Sequence, residues 1–125
     1  MDRLTRPAEL ALVDDDPAVR HALSFAFETL GVSVAAFGDG ESALESPHRL
    51  AWRCLVLDQR LPGISGLDVH DRLRAIGARA PSILITTQPS RDVIARALSA
   101  GVEIFEKPLL DNRLPARVHE LLYVS

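Results

Sequence analysis

Acidic side chains follow two short apolar segments of the sequence, at the point where each segment ends. Residues 10–13 run into Asp14 and Asp15, and residues 54–57 run into Asp58. Because parallel strands of one sheet bring their carboxyl ends to a single edge, these carboxylates are expected to converge there. Three clustered carboxylates stay ionised only with a cation among them, since otherwise the pKa of one of them rises. Oxygen ligands on an open surface suit Mg²⁺, so the pattern predicts a magnesium site.

Two further apolar segments end in groups that suit a phosphoryl oxygen. Residues 82–85 are followed by Thr86, and residues 103–106 are followed by Lys107. An ammonium group can neutralise charge on a transferred phosphoryl group, and a hydroxyl can donate a hydrogen bond to one of its oxygens. A strand-end carboxylate such as Asp58 can act as the nucleophile and form an acyl phosphate. The four strand ends together therefore predict phosphoryl chemistry that depends on Mg²⁺.

Hydrophobic periodicity predicts the elements that would position these groups. Short apolar runs, typical of strands covered on both faces, predict five strands at residues 9–13, 32–37, 53–57, 82–86 and 103–106. Apolar side chains at three- and four-residue steps, bounded by Gly and Pro, predict five helices at residues 17–30, 40–47, 66–75, 90–100 and 112–123. This alternation favours an α/β fold in which helices cover both faces of a five-stranded parallel sheet.

Length and composition limit the kind of protein that this sequence can form. With 125 residues, 47% of them hydrophobic and 25% charged, residues 1–125 are expected to form a single globular domain. The net charge of −3 and the absence of a basic stripe predict no direct nucleic-acid binding. No apolar run approaches the roughly 18 residues of a membrane span, so no membrane association is expected. A cytoplasmic protein is the simplest interpretation.

Several other residues have structural interpretations. Asp16 is expected to cap the first helix, and Trp52 and Cys54 are expected to pack around the third strand. Four histidines lack metal-binding spacing and are expected on exposed helix faces: His21, His48, His70 and His119. The residues predicted to face inward on the third and fourth helices are Leu67, Leu73, Ile76, Val93, Ile94, Ala97 and Leu98.

These motifs resemble the receiver domain of bacterial two-component response regulators, in the CheY-like superfamily, and most closely its FixJ-type subgroup. The segments that carry the resemblance are residues 12–16, 57–66, 85–86, 100–101 and 106–108, with the sequences LVDDD, LDQRLPGISG, IT, AG and EKP. The resemblance extends over nearly the whole chain, and the spacing between most of these motifs is preserved. The resemblance implies a doubly wound, flavodoxin-like fold with five helices and the strand order 2-1-3-4-5.

The resemblance also implies a role for each group at the predicted edge. Asp58 would be the phosphoacceptor. Mg²⁺ would be held by four groups, namely the carboxylates of Asp14, Asp15 and Asp58 and the backbone carbonyl of Arg60. Thr86 and Lys107 would bind the phosphoryl oxygens. A cis peptide bond between Lys107 and Pro108 would aim the lysine side chain.

The residues around this edge depart from the family pattern. The expected switch region consists of Thr87, Gln88, Ile104, Phe105 and Pro108. Receivers commonly carry Phe or Tyr three residues before the lysine, where this chain has Ile104. Either the alignment slips and Phe105 is the switch residue, or the coupling between Thr86 and an aromatic ring is absent. The second interpretation is favoured, because Phe105 alternates to the opposite face of its strand.

The resemblance implies a signalling switch and not an enzyme that turns over an external substrate. A sensor histidine kinase or a histidine phosphotransfer protein would supply the phosphoryl group. The domain itself would catalyse the transfer to its own aspartate and the later hydrolysis. The added charge would shift the face formed by the fourth helix, the fifth strand and the fifth helix. That face, or the first and fifth helices, is the expected surface for a homodimer.

Two alternatives stay open at the level of the sequence. A degenerate receiver that acts only as a protein-interaction module would explain Thr87 and Ile104. A haloacid-dehalogenase-like phosphatase would also use a strand-end aspartate with Mg²⁺, but it would carry a second aspartate where this chain has Arg60. FixJ-type receivers are usually followed by a helix-turn-helix DNA-binding domain. The chain is therefore expected to be either a single-domain regulator or a fragment that lacks an output domain.

Overall fold

The computed structural model describes residues 6–124 and contains five strands and five helices in alternation. The strands are β1 (Leu10–Val13), β2 (Val34–Phe37), β3 (Cys54–Asp58), β4 (Ser82–Thr86) and β5 (Glu103–Glu106). The helices are α1 (Pro17–Thr29), α2 (Gly40–Leu44), α3 (Gly66–Ala75), α4 (Arg91–Ala100) and α5 (Arg113–Tyr123). All strand pairs are parallel and the order in the sheet is β2-β1-β3-β4-β5, so the predicted doubly wound fold is confirmed.

The central strands are apolar on both faces because helices cover the sheet on each side. Every residue of β1, β3 and β4 is buried, whereas the edge strands β2 and β5 are only partly buried. Along β1, Ala11 and Val13 face α2, α3 and α4, and Leu10 and Leu12 face α1 and α5. The functional polar groups of these central strands therefore lie at the strand ends, where they can reach solvent.

Two predicted packing residues lie at the start of β3. Trp52 is buried, and its ring centroid lies 5.5 Å from that of Phe37. Cys54 is buried and free, and burial raises the pKa of its thiol to about 12. The thiol therefore stays protonated and acts as a small core residue, as predicted.

Local sequence determines where the helices begin and end. Asp16 caps α1, as predicted, by accepting a hydrogen bond of 2.9 Å from the amide of Ala18. Ser65 and Asp68 form a capping box at the start of α3. Helix α2 is shorter than predicted. It ends at Leu44, and the residues that follow it form turns. No helix within residues 6–124 has the length and apolar character that a membrane span requires.

The apolar stripes on α3 and α4 are wider than the faces that these helices bury. Leu67 and Leu73 are buried as predicted, but Ile76 is 48% exposed because it lies beyond the last turn of α3. On α4 the fully buried residue is Ala97, whereas Leu98 is 80% exposed. The prediction for Leu98 was wrong because α4 lies over the edge strand β5, which covers only a narrow part of its surface.

His70 is buried, so the prediction that every histidine lies on an exposed face was wrong. It falls three residues from both Leu67 and Leu73 and shares their inward face. Its Nδ1 atom lies 2.7 Å from the hydroxyl oxygen of Ser82. Burial lowers the pKa of His70, and the charge of Arg74 lowers it further. The remaining histidines are exposed or half-buried: His21, His48 and His119.

Burial of His70 predicts a pH-dependent stability. Its pKa in the folded protein lies below the ordinary value of 6.5, so the unfolded chain binds more protons as the pH falls through 6.5. The free energy of unfolding should therefore fall between about pH 7.5 and about pH 5.5, and this His70 contribution should disappear in His70→Asn. Urea unfolding of the wild type and the variant at both pH values measures the effect.

Exposed His21 provides the matched control, because His21→Asn should keep the pH dependence of the wild type. An identical pH dependence in the wild type and His70→Asn would show that His70 does not contribute.

Candidate functional site

The predicted polar groups meet at the carboxyl edge of the sheet. Asp14 follows β1, Asp58 ends β3, Thr86 ends β4, and Lys107 follows β5. The strand order reverses between β1 and β3, and crevices at such reversals are where open α/β sheets bind ligands. The candidate site therefore lies at the crevice where this fold class usually binds ligands.

Three carboxylates form an acidic cluster in this crevice. One oxygen each from Asp14, Asp15 and Asp58 lies within 4.8 Å of the others. Asp14 is fully buried and Asp58 is 5% exposed, whereas Asp15 is exposed. The structure thus brings together the three acidic residues selected from the sequence, two inside the protein and one at its surface.

Lys107 bridges the two buried carboxylates. Its Nζ atom lies 2.9 Å from Asp14 Oδ2 and 3.3 Å from Asp58 Oδ2. The Lys107 amide also donates a hydrogen bond of 2.8 Å to the carbonyl of Thr86, which ties the end of β5 to the end of β4. The peptide bond between Lys107 and Pro108 is cis, which confirms the conformation that the resemblance implied.

The cluster carries more negative charge than Lys107 can neutralise. Burial raises the pKa of Asp58 and the charge of Asp14 raises it further, while Lys107 opposes both. Burial would lower the pKa of Lys107, but its hydrogen bond to Asp14 and the charge of Asp58 more than offset this and raise it. Lys107 therefore stays protonated as an ammonium group, and the carboxylates beside it favour additional positive charge.

The donor set fits a hard divalent cation. Lys107 occupies one oxygen of Asp14 and one of Asp58, and the amide of Arg60 donates to Asp58 Oδ1 at 3.3 Å. The exposed carboxylate of Asp15 completes a set of oxygen donors that opens to solvent. Oxygen ligands in a partly open site are the environment in which Mg²⁺ keeps several of its waters.

The turn after β3 is packed tightly against the start of α3. A Cβ atom at Gly66 would lie 2.5 Å from the carbonyl oxygen of Asp58, so no side chain fits there. The Gln59 side chain accepts a hydrogen bond of 2.9 Å from the amide of Leu67. Sequence reasoning did not identify these contacts, although a glycine at the start of a helix was a visible signal. They hold the backbone of Asp58 and Arg60 in place.

The loop after β4 forms one wall of the site. Thr86 is buried, whereas Thr87 and Gln88 are exposed. Gln88 has a φ of 44°, in the left-handed region that residues with a side chain rarely adopt. Thr87 and Lys107 line an open groove of about 440 Å³ whose other walls come from α1 and from residues 108–109.

Ile104 and Phe105 lie on opposite faces of β5. Ile104, like Val93 and Ala100 of α4, packs against the core on the side of the sheet that α2, α3 and α4 cover. Phe105 packs on the other side of the sheet, with the core formed by α1 and α5. The alternation of side chains along β5, which predicted that Phe105 and Ile104 lie on opposite faces, is therefore present. The absence of Thr–aromatic coupling stays a prediction.

Comparison with known proteins gives a consistent result. A family model described as the response regulator receiver domain matches residues 10–119. The chain is 35% identical over 121 residues to the response regulator protein TodT of Pseudomonas putida, covering 96% of this chain and 53% of TodT. It is 29% identical over 120 residues to the transcriptional regulatory protein FixJ of Bradyrhizobium diazoefficiens, covering 95% of this chain and 58% of FixJ. The chain thus spans about half the length of these curated relatives.

Solved structures agree with the fold. The BeF3-activated DrrB receiver domain aligns with a TM-score of 0.79 at 28% identity, over 94% of this chain and 98% of that one. A CheY-like receiver domain protein from Methanospirillum hungatei aligns with a TM-score of 0.84 at 20% identity, over 94% of each chain, and supports the fold alone.

The charge balance of the cluster can be tested by titration without divalent cations. Carboxyl NMR resonances should give Asp58 a pKa above the ordinary 3.8. Asp14→Asn should lower that pKa, because it removes a neighbouring negative charge, and Lys107→Met should raise it further. Glu103→Gln, which changes the first residue of β5 at the opposite edge of the sheet, should leave the pKa of Asp58 unchanged. No response to Asp14→Asn would show that the two carboxylates do not interact.

Proposed function

Because the chain belongs to the response regulator receiver domain family, we propose that it is a phosphorylation-dependent signalling switch in which Asp58 accepts the phosphoryl group. The observation that carries this proposal is the placement of Lys107 Nζ, within 3.3 Å of Asp58 and 2.9 Å of Asp14. An ammonium group there supports both the ionised nucleophile and the oxygens of an incoming phosphoryl group.

In the proposed reaction an oxygen of the Asp58 carboxylate attacks phosphorus and forms an acyl phosphate. The bond between phosphorus and the donor breaks, and its electron pair leaves with the donor, a phosphohistidine nitrogen of a sensor kinase or of a histidine phosphotransfer protein. Lys107 and the hydroxyl of Thr86 bind the phosphoryl oxygens and stabilise their charge. Later attack of water on phosphorus breaks the bond between phosphorus and the Asp58 oxygen. Inorganic phosphate leaves, and Asp58 returns to its free carboxylate form.

Mg²⁺ is the proposed cofactor. We assign it to the carboxylates of Asp14, Asp15 and Asp58 and to the backbone carbonyl of Arg60. When bound, the ion supplies positive charge that neutralises the carboxylates and the phosphoryl oxygens. The grouping of three carboxylate oxygens around a single ammonium group supports this assignment. Burial, and then the charge of Asp14, raises the pKa of Asp58, so its ionised form is favoured by additional positive charge.

The proposed output surface is the face formed by α4, β5 and α5. Residues on α4 support this choice, because Ala97 is fully buried whereas Ile94 and Leu98 are 47% and 80% exposed. A helix held by so little buried surface can shift at low cost when the loops beside it rearrange. Those loops contain the remaining proposed switch residues, Thr87, Gln88 and Pro108. A homodimer would use this face or the surface of α1 and α5.

We further propose that the chain forms one receiver domain, that it acts in the cytoplasm, and that it does not itself bind nucleic acid or membranes. The net charge of −3 supports the proposal on nucleic acid. Its partners would be a sensor histidine kinase or a histidine phosphotransfer protein.

A degenerate receiver that serves only as an interaction module is the second candidate. Ile104, in place of the usual aromatic residue, and the bulkier Thr87 favour it. The complete set of acidic residues with Lys107 favours phosphorylation instead. Membership of the receiver family leaves the haloacid-dehalogenase-like phosphatase without support.

Phosphorylation by a small phosphodonor tests the central assignment. With Mg²⁺ the wild type should gain one phosphoryl mass, and Asp58→Asn should gain none, because it lacks the nucleophile. Asp15→Asn should react at least roughly tenfold more slowly, because loss of a ligand carboxylate should cost no less than loss of a group that only supports a ligand. Intact mass spectrometry measures each product.

Asp111→Asn is the control, because this exposed aspartate lies outside the cluster and its loss should not change the rate. Modification of Asp58→Asn at the wild-type rate would move the acceptor elsewhere. An unmodified wild type would favour the interaction module.

Hydrogen exchange with and without beryllofluoride tests the output surface. Phosphate-like charge beside Thr86 and Lys107 should change exchange within residues 87–111, because both loops of the site and the adjoining α4 and β5 lie there. Ile104→Tyr should enlarge the change if the missing aromatic ring limits the coupling. Changes confined to residues 19–50, with residues 87–111 silent, would show that the output face is wrongly assigned.

A further inference from the structure

A side chain outside the acidic cluster holds the loop that carries it. Arg20, the fourth residue of α1, donates a hydrogen bond from Nη1 to the backbone carbonyl of Asp14 at 2.7 Å. This is short for an N–H···O contact, whose usual length is about 2.9 Å. The amide of Arg20 also donates to the carbonyl of Asp16 at 3.0 Å. That second contact is the first backbone hydrogen bond of α1, so the side chain of Arg20 is what ties the start of the loop of residues 14–16 to the helix.

The surroundings of Arg20 leave space for this contact. A Cβ atom at Gly38 would lie 3.2 Å from Arg20 Nη1, so glycine leaves room for the guanidinium group. The amide of Asp14 donates to the carbonyl of Phe37 at 3.1 Å. Both polar groups of the Asp14 backbone are therefore bound, one by the end of β2 and the other by Arg20.

The Asp14 carbonyl belongs to the peptide group that joins Asp14 to Asp15, so its orientation sets the direction in which the Asp15 side chain leaves the backbone. Asp14 has further restraints, because its carboxylate binds Lys107 and accepts from the amide of Asp16. Within residues 6–124 no hydrogen bond or ion pair holds the carboxylate of Asp15, which is exposed. Its place in the cluster depends on the backbone.

We propose that Arg20 is a positioning residue for the cation site, which orients the Asp14–Asp15 peptide so that the Asp15 carboxylate points to the ion. This inference rests on the proposed function, because it assumes that the cluster binds Mg²⁺. Groups that bind the ligands of a metal, without touching the metal, commonly change its affinity by roughly 10- to 100-fold. Arg20 acts on the backbone of the ligands, so the lower end of that range is expected.

Mg²⁺ titration of the unphosphorylated protein tests the inference, with amide NMR shifts of residues 14–16 and 58–60 as the readout. Arg20→Met should raise the Kd for Mg²⁺ about tenfold. Arg74→Met is the matched control. Arg74 also donates to backbone carbonyls, those of Ala78 and Ala80, but it does so at the opposite end of the sheet. Its replacement should leave the Kd unchanged, although it removes the same charge.

A second readout separates positioning from general damage to the fold. At saturating Mg²⁺, Arg20→Met should be phosphorylated by a small phosphodonor at close to the wild-type rate, because the defect lies in ion affinity. Thermal unfolding without Mg²⁺ verifies that the variants are folded. If Arg20→Met does not fold, Arg20→Gln, which keeps a polar side chain of shorter reach than the guanidinium group, should bind Mg²⁺ more weakly than the wild type.

Three results would contradict either the positioning role of Arg20 or the proposed cation site. An unchanged Kd in a folded Arg20→Met or Arg20→Gln protein would overturn the positioning role. Equal weakening in Arg20→Met and Arg74→Met would also overturn it, since the effect would then come from net charge. Failure of the wild type itself to bind Mg²⁺ would instead refute the proposed cation site, which distinguishes the two failures.

Discussion

Two carboxylates buried at the end of the sheet depend on one ammonium group. Asp14 and Asp58 lose most of their contact with water, and Lys107 Nζ is the positive charge that lies within 3.3 Å of both. Removing charged groups from water is strongly unfavourable unless each finds a partner. One ammonium for two buried carboxylates leaves a negative excess, which the exposed Asp15 increases. That excess fits a divalent cation, which in the proposed function would also offset the charge of a phosphoryl group.

The rest of the fold keeps this cluster together through its backbone. Gly66 lets α3 begin against the carbonyl of Asp58, where a Cβ atom would lie at 2.5 Å. The capping hydrogen bond from Leu67 to Gln59 restrains the same turn. Arg20 plays the corresponding part in the loop after β1. Ligands of a weakly bound ion have to be held in place beforehand, because the ion contributes little free energy to arrange them.

In the proposed function, a signal from this site would pass through the loops beside it. Ile104 faces α4 but has no ring edge or hydroxyl, and Phe105 is committed to the core on the other side of the sheet. The loop that contains Gln88 already holds a left-handed residue, an unfavourable conformation that often occurs at functional sites. Together with the shallow packing of α4, these features favour a response carried by backbone movement over one carried by rotation of an aromatic side chain.

The sequence by itself determined the parallel α/β fold and the members of the acidic cluster, because both follow from local rules. Short apolar strands alternate with helices, and parallel strands bring their carboxyl ends to one edge. Only the tertiary structure decided which groups lose contact with water. His70 was expected on an exposed helix face and Leu98 on a buried one, and both expectations were wrong because exposure depends on what covers a helix face. The contacts of Arg20 and Gly66 join separate segments of the chain, so no local pattern could have specified their distances.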